Sequence, residues 1–183
     1  MKNQYAIFFI LAFGFMACDN DADPNPESKL RYSSESFLPM EIGNYWKINK
    51  DNYIEITDTL RIDGDLFYKF YSLTGGDAVG RQYLRIDSEN NLIEKSPMYP
   101  SWEYVHAKFN LTMGEKFYTL GDSSVNDYEV TVDFKDEAIM NFSFDAIYHP
   151  HLRGHAHIVS YEKGLGYVSH WKEVSISGTI YNF

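Results

Sequence analysis

From Phe37 onward the chain alternates between apolar and polar positions. Ile54, Ile56, Leu60 and Ile62 are set against Glu55, Thr57, Thr59 and Arg61, the period-two signature of a strand with one buried face. Asp63-Gly64 then supplies a tight hairpin turn. Leu66 to Leu73 returns with apolar residues on both faces, Gly75-Gly76-Asp77 turns, Val79 to Ile86 follows, and Ser88-Glu89-Asn90-Asn91 turns again. Val105, Ala107, Phe109 and Leu111 alternate with His106, Lys108 and Asn110. Tyr128, Val130, Val132 and Phe134 form the next run, Met140, Phe142, Phe144 and Ala146 the one after Lys135-Asp136, and Val174, Ile176 and Ile180 close the chain. No long stretch carries a helical period. The pattern predicts an all-β domain, an antiparallel meander of about 9–11 strands that curls into a curved sheet, half-barrel, barrel or sandwich.

Two segments echo one another. Met40-Glu41-Ile42-Gly43-Asn44-Tyr45-Trp46 and Leu111-Thr112-Met113-Gly114-Glu115-Lys116-Phe117 both read apolar residue, glycine, two residues, large aromatic. Glycine suits the bend into a strand and the aromatic plugs the sheet. The spacing predicts two halves of one sheet.

The first residues differ from all of this. Lys2 precedes an almost wholly apolar run from Tyr5 to Met16. A permanent membrane span needs roughly twenty apolar residues, and this run has the size of a signal-peptide core instead. It ends Phe15-Met16-Ala17-Cys18, which resembles a lipobox. That resemblance implies cleavage after Ala17 and a diacylglyceryl group on the Cys18 thiol. The expected organisation is a lipoprotein signal peptide at 1–17, an acidic, proline-containing tether at 18–36 and a single β domain at 37–183. The acidic residues after Cys18 are similar to the surface-export signal of Bacteroidetes-type lipoproteins. The expected location is the cell envelope, at the outer membrane, on its surface or periplasmic face, with the membrane as a partner through the lipid.

Charge narrows the function. The formal net charge is −10, which is unsuited to tracking nucleic-acid phosphates or to adhering to anionic lipid. Cys18 is the only cysteine, so no intramolecular disulfide forms. Aromatic residues make up 17% of the chain and favour half-buried strand surfaces.

Two longer segments carry a family resemblance. Phe37-Leu38-Pro39-Met40-Glu41-Ile42-Gly43-Asn44-Tyr45-Trp46, followed much later by Tyr161-Glu162-Lys163-Gly164-Leu165-Gly166-Tyr167-Val168, resembles a pair of motifs in exported lipoproteins of Bacteroidetes and related bacteria. The resemblance implies an exported all-β domain and brings no activity with it. Gly43-x-x-Trp46 is also similar to the Gly-x-Trp that opens the first strand of lipocalins, which implies a barrel around a ligand cavity.

Little in the sequence suggests chemistry. Gly-x-Ser-x-Gly, His-Glu-x-x-His and the P-loop are all absent. His149, His151, His155 and His157 fall within nine residues, and imidazoles in such a cluster suit a divalent transition metal, the only cofactor the sequence suggests. A hairpin centred on Arg153 would place His151 opposite His155 and His149 opposite His157, all on one face; a turn centred between Arg153 and Gly154 would split the pairs between faces, and a polar His-rich loop is the alternative to a metal site. Tyr99, Trp102 and Tyr104, beside Pro97 and Pro100, are candidates for stacking on a sugar or peptide. The expected function is a non-enzymatic, lipid-anchored binding or assembly module whose partner is a protein, a glycan or a small apolar ligand. A lipocalin-like carrier and an envelope hydrolase are the alternatives.

Overall fold

A computed structural model describes residues 35–183; the segment expected to be a signal peptide, Cys18 and nearly all of the expected tether lie outside the described residues. Within them the chain is 57% strand with no helix. The strands are β1 (Tyr45–Asn49), β2 (Asn52–Ile62), β3 (Asp65–Thr74), β4 (Ala78–Ile86), β5 (Asn91–Ser96), β6 (Tyr99–Lys108), β7 (Lys116–Tyr118), β8 (Glu129–Lys135), β9 (Ile139–Asp145), β10 (His157–Glu162), β11 (Gly166–Val168), β12 (Glu173–Ile176) and β13 (Thr179–Asn182). They form two antiparallel sheets, an eight-stranded one in the order β13-β12-β1-β2-β3-β4-β5-β6 and a five-stranded one in the order β11-β10-β9-β8-β7. The sheets are curved and do not close into a barrel.

The all-β expectation holds, and the strand count is higher than alternation predicts. β7 and β11 have three residues each, too few to display a period. β12 and β13 read as one run in the sequence, but Ser177 (φ 48°) and Gly178 (φ 78°) split them with a two-residue turn. Both central residues have positive φ, the condition for the type I′ hairpin. Asp63 (φ 52°) and Gly64 (φ 91°) make the equivalent turn between β2 and β3.

Both sheets face one core. Trp46, Ile56, Phe70, Leu84, Leu92 and Val174 of the larger sheet pack with Val130, Met140, Phe142 and Tyr161 of the smaller one. Phe37, Leu38 and Met40 enter the same core ahead of the first strand. The alternation of buried and half-buried residues along β9 (Ile139 to Asp145) follows the pleat residue by residue. A second, smaller cluster of Ile62, Phe67 and Ile93 joins the outer end of the β2–β3 hairpin to β5. The turn is held there by Arg85–Asp65 at 2.7 Å and Lys95–Asp63 at 3.6 Å.

The two echoing segments open the two sheets, one each, rather than two halves of one sheet. Gly43 donates its N–H to the Ile56 carbonyl and Gly114 donates to that of Val132, both at 2.8 Å. In return Ile56 donates to Asn44 and Val132 to Glu115, both at 2.9 Å. The same backbone device starts β1 beside β2 and β7 beside β8. At the far side the Val105 N–H on β6 donates to the carbonyl of Thr119, just past β7, at 2.9 Å.

The two family-like motifs, far apart in sequence, pack on each other. The Trp46 indole N–H donates to the Leu165 carbonyl at 2.6 Å, and its ring meets Tyr167 edge-on at 5.5 Å. Gly166 lies against that indole so closely that an added Cβ would sit 2.6 Å from Trp46 Cζ2. Asn44, fully buried, donates its side-chain N–H to the Pro39 carbonyl at 3.0 Å and accepts the Ser177 N–H at 2.8 Å. It thus ties the entry segment to the β12–β13 turn.

Candidate binding site

The β5–β6 hairpin carries the features that point outward. Its tip, Pro97-Met98, joins Ser96 to Tyr99, and the ladder resumes only at Lys95 opposite Glu103. Pro100, Ser101 and Trp102 therefore bulge out of the register. Bulges re-aim side chains and occur next to functional sites. Here the result is exposed apolar surface: Met98 is 79%, Tyr99 66% and Trp102 39% exposed.

From Trp102 a row of rings runs down β6. Trp102 and Tyr104 lie 6.2 Å apart with planes 27° from parallel, and Tyr104 and His106 are 4.6 Å apart. A second register shift, between Leu92 and Ile93, brings His106 to Glu94. Glu94 Oε2 sits 2.8 Å from His106 Nε2 and accepts the Gln82 side-chain N–H at 2.9 Å. The Glu94 and His106 side chains keep 17% and 22% exposure, so the pair is held in place yet still reached by solvent.

Tyr104 is fixed at both ends. Its ring is clamped between Trp102 and His106, and its hydroxyl meets the Thr119 side chain. Burial raises its pKa, and the bond to Thr119 offsets part of that rise. Behind it, burial pushes the Tyr161 phenol well up, with Tyr167 and Tyr104 adding to the effect. Burial likewise raises Tyr167, reinforced by the Glu94 carboxylate. All three phenols stay neutral across the physiological range and keep their protons as hydrogen-bond donors. Tyr128, whose backbone N–H donates to the Thr119 hydroxyl oxygen at 2.9 Å, presents its ring edge-on to His157 at 5.9 Å.

Thr119 is itself anchored by Asp127. Both are buried. The Asp127 carboxylate accepts the N–H groups of Leu120 at 2.8 Å and Ser123 at 3.0 Å and the Thr119 hydroxyl at 3.3 Å. Burial alone would raise the Asp127 pKa, but these donors together hold it below the ordinary aspartate value.

The four histidines are placed differently from the sequence expectation. β9 ends at Asp145 and β10 begins at His157, so no hairpin centres on Arg153. Residues 146–156 form a loop of turns, and the residue opposite His157 is Phe144. Gly154 donates to the Asp145 carboxylate at 2.9 Å, and His149 Nδ1 accepts the backbone N–H groups of His151 and Leu152 at 3.2 Å. Those bonds occupy one His149 nitrogen and favour the turns over two more rungs of ladder. Among the described residues no three His, Cys, Asp or Glu side chains are grouped to hold a metal. His157 instead stacks on Phe144, 5.1 Å away and 18° from parallel.

Of the aromatics singled out in the sequence, the structure brings Trp102 and Tyr104 together and leaves Tyr99 at the tip. Glu94, Gln82 and His106 were missed. A hairpin centred between Pro97 and Pro100 would place Glu94 opposite Glu103; the bulge at 100–102 moves it opposite Tyr104, and neither that bulge nor the one that adds His106 leaves a mark in the alternation.

The space between the sheets is filled: Trp46, Phe70, Phe142 and Tyr161 are each no more than 2% exposed. Clefts open on the surface instead. One of about 260 Å³ lies between Phe37, Phe109 and Lys135, one of about 360 Å³ beside Tyr45 and Tyr53, and one of about 230 Å³ at Tyr167 and Trp171. The first and third fall below the roughly 300–1,000 Å³ of typical ligand pockets and the second lies at its lower end. Comparison with known protein families, with curated proteins and with solved structures finds no match to this chain.

Proposed function

We propose that the protein is a non-enzymatic binding module held at the bacterial cell envelope by a lipid on Cys18, and that the Trp102–Tyr104–His106 strip meets its partner. The observation that supports this most is the run of exposed apolar residues at the β5–β6 tip leading directly into a fixed polar network. Exposed apolar patches bordered by polar groups mark interaction sites, and rigid aromatic anchors carry most of the affinity at such sites. The filled core favours this reading over a carrier that encloses an apolar ligand.

The anchor has its own test. Cells grown with radiolabelled palmitate should label the wild-type protein, and Cys18→Ala should abolish the label. Label retained on the Cys18→Ala protein would remove the lipid anchor from the account.

A further inference from the structure

We propose that the ligand of the strip is a neutral saccharide chain; this rests on the reading of the strip as the binding surface. Sugar rings present an apolar C–H face and a rim of hydroxyls. Flat aromatic faces match the first through dispersion and weak C–H contacts. Fixed groups that both donate and accept hydrogen bonds match the second.

The strip offers both together. Tyr99 and Trp102 supply exposed ring surface, and Tyr104 and His106 continue it. Trp102 to His106 is four strand steps, about 13 Å at ~3.3 Å per residue, which is longer than a single sugar ring and so suits a chain. Beside the rings, Glu94 Oε2 takes the bonds from both Gln82 and His106. Glu94 Oε1 and His106 Nδ1 have no partner among the described residues and remain available to hydroxyls.

Charge selects a neutral sugar. Of the cations at the hairpin, Lys95 is paired with Asp63 at 3.6 Å and Glu103 at 3.7 Å, Arg85 with Asp65 at 2.7 Å, and Lys108 lies over the Phe117 ring at 5.8 Å. The chain as a whole carries −10, which opposes uronic, sulfated or phosphorylated polymers. A peptide strand laid along β6 would find the Val105 N–H already donated to Thr119.

The test uses the full chain in detergent micelles. It is applied to arrays of neutral oligosaccharides, to anionic ones, and to duplicates oxidised with periodate, which cleaves vicinal diols. Wild type should bind neutral chains and lose the signal after periodate. Trp102→Ala and Glu94→Ala should weaken binding about tenfold or more with an unchanged melting temperature. Preference for anionic sugars, or no binding to any sugar, overturns the inference. A second arm separates it from the reading beneath it, using envelope vesicles with and without periodate. Binding that needs Trp102 but survives periodate rejects the saccharide and keeps the strip. Equal binding by wild type and Trp102→Ala rejects both.

Discussion

Gly166→Val should cost about 2–5 kcal/mol of stability, a large share of the 5–15 kcal/mol typical of a domain. Two effects add. Gly166 has φ +88°, a conformation that costs an L-residue about 1–2 kcal/mol and is worse for a branched one. Its Cβ would also lie 2.6 Å from Trp46 Cζ2 and 3.0 Å from Leu38 Cδ1, and overpacking of this kind costs about 1–3 kcal/mol. Trp46 cannot retreat easily, because its indole N–H is bonded to Leu165 and Phe70 stacks on it at 6.2 Å. Gly43→Ala is the control. Its φ is +93°, but nothing lies within 4 Å of an added Cβ, so only the conformational part applies, about 1–2 kcal/mol. Urea unfolding of both variants checks the pair; equal losses would mean the contact with Trp46 is not tight.

Asp127→Ala should be nearly as damaging, by about 2–4 kcal/mol. The substitution leaves the N–H groups of Leu120 and Ser123 and the Thr119 hydroxyl without their acceptor, and an unsatisfied buried polar group costs about 1–3 kcal/mol. The effect has a pH signature. The Asp127 pKa is lower in the folded chain than its ordinary value, so its contribution is fully present above about pH 4, the unfolded aspartate range. It fades as pH falls toward the folded value. Wild type should therefore lose part of its advantage over Asp127→Ala on acidification below about pH 4, measured as the difference in urea midpoints. A difference that grows on acidification would contradict this. Because Thr119 meets Tyr104, the variant should also loosen the strip.

Much of this fold is legible in the sequence because one-sided burial writes itself as alternation. β2, β8 and β9 carry that pattern plainly, and the turns at Asp63-Gly64 and Gly75-Gly76 announce themselves through residues that tolerate positive φ. What the sequence hides is where alternation breaks. The bulges beside Ile93 and Ser96 shift parity within β5–β6, so β6 looks as though it starts at Val105 when it starts at Tyr99. That same break sets the candidate site, which is why Trp102 and Tyr104 are noticed as aromatics while Glu94, Gln82 and His106 are not. The histidines show the converse. Their shared odd parity implies a ladder, but Asp145 and His149 bond to the backbone locally and favour turns. Division into two sheets is equally silent, since pairing β12 with β1 depends on contacts across more than a hundred residues.

The central claim, that the β5–β6 strip meets the partner, is tested most directly by hydrogen–deuterium exchange of the full chain with and without envelope vesicles. Slowed exchange should concentrate in residues 94–106 and at Thr119 and Tyr128 behind them. Protection confined to the 146–156 loop or to the exposed β13 edge, with 94–106 unchanged, would contradict it.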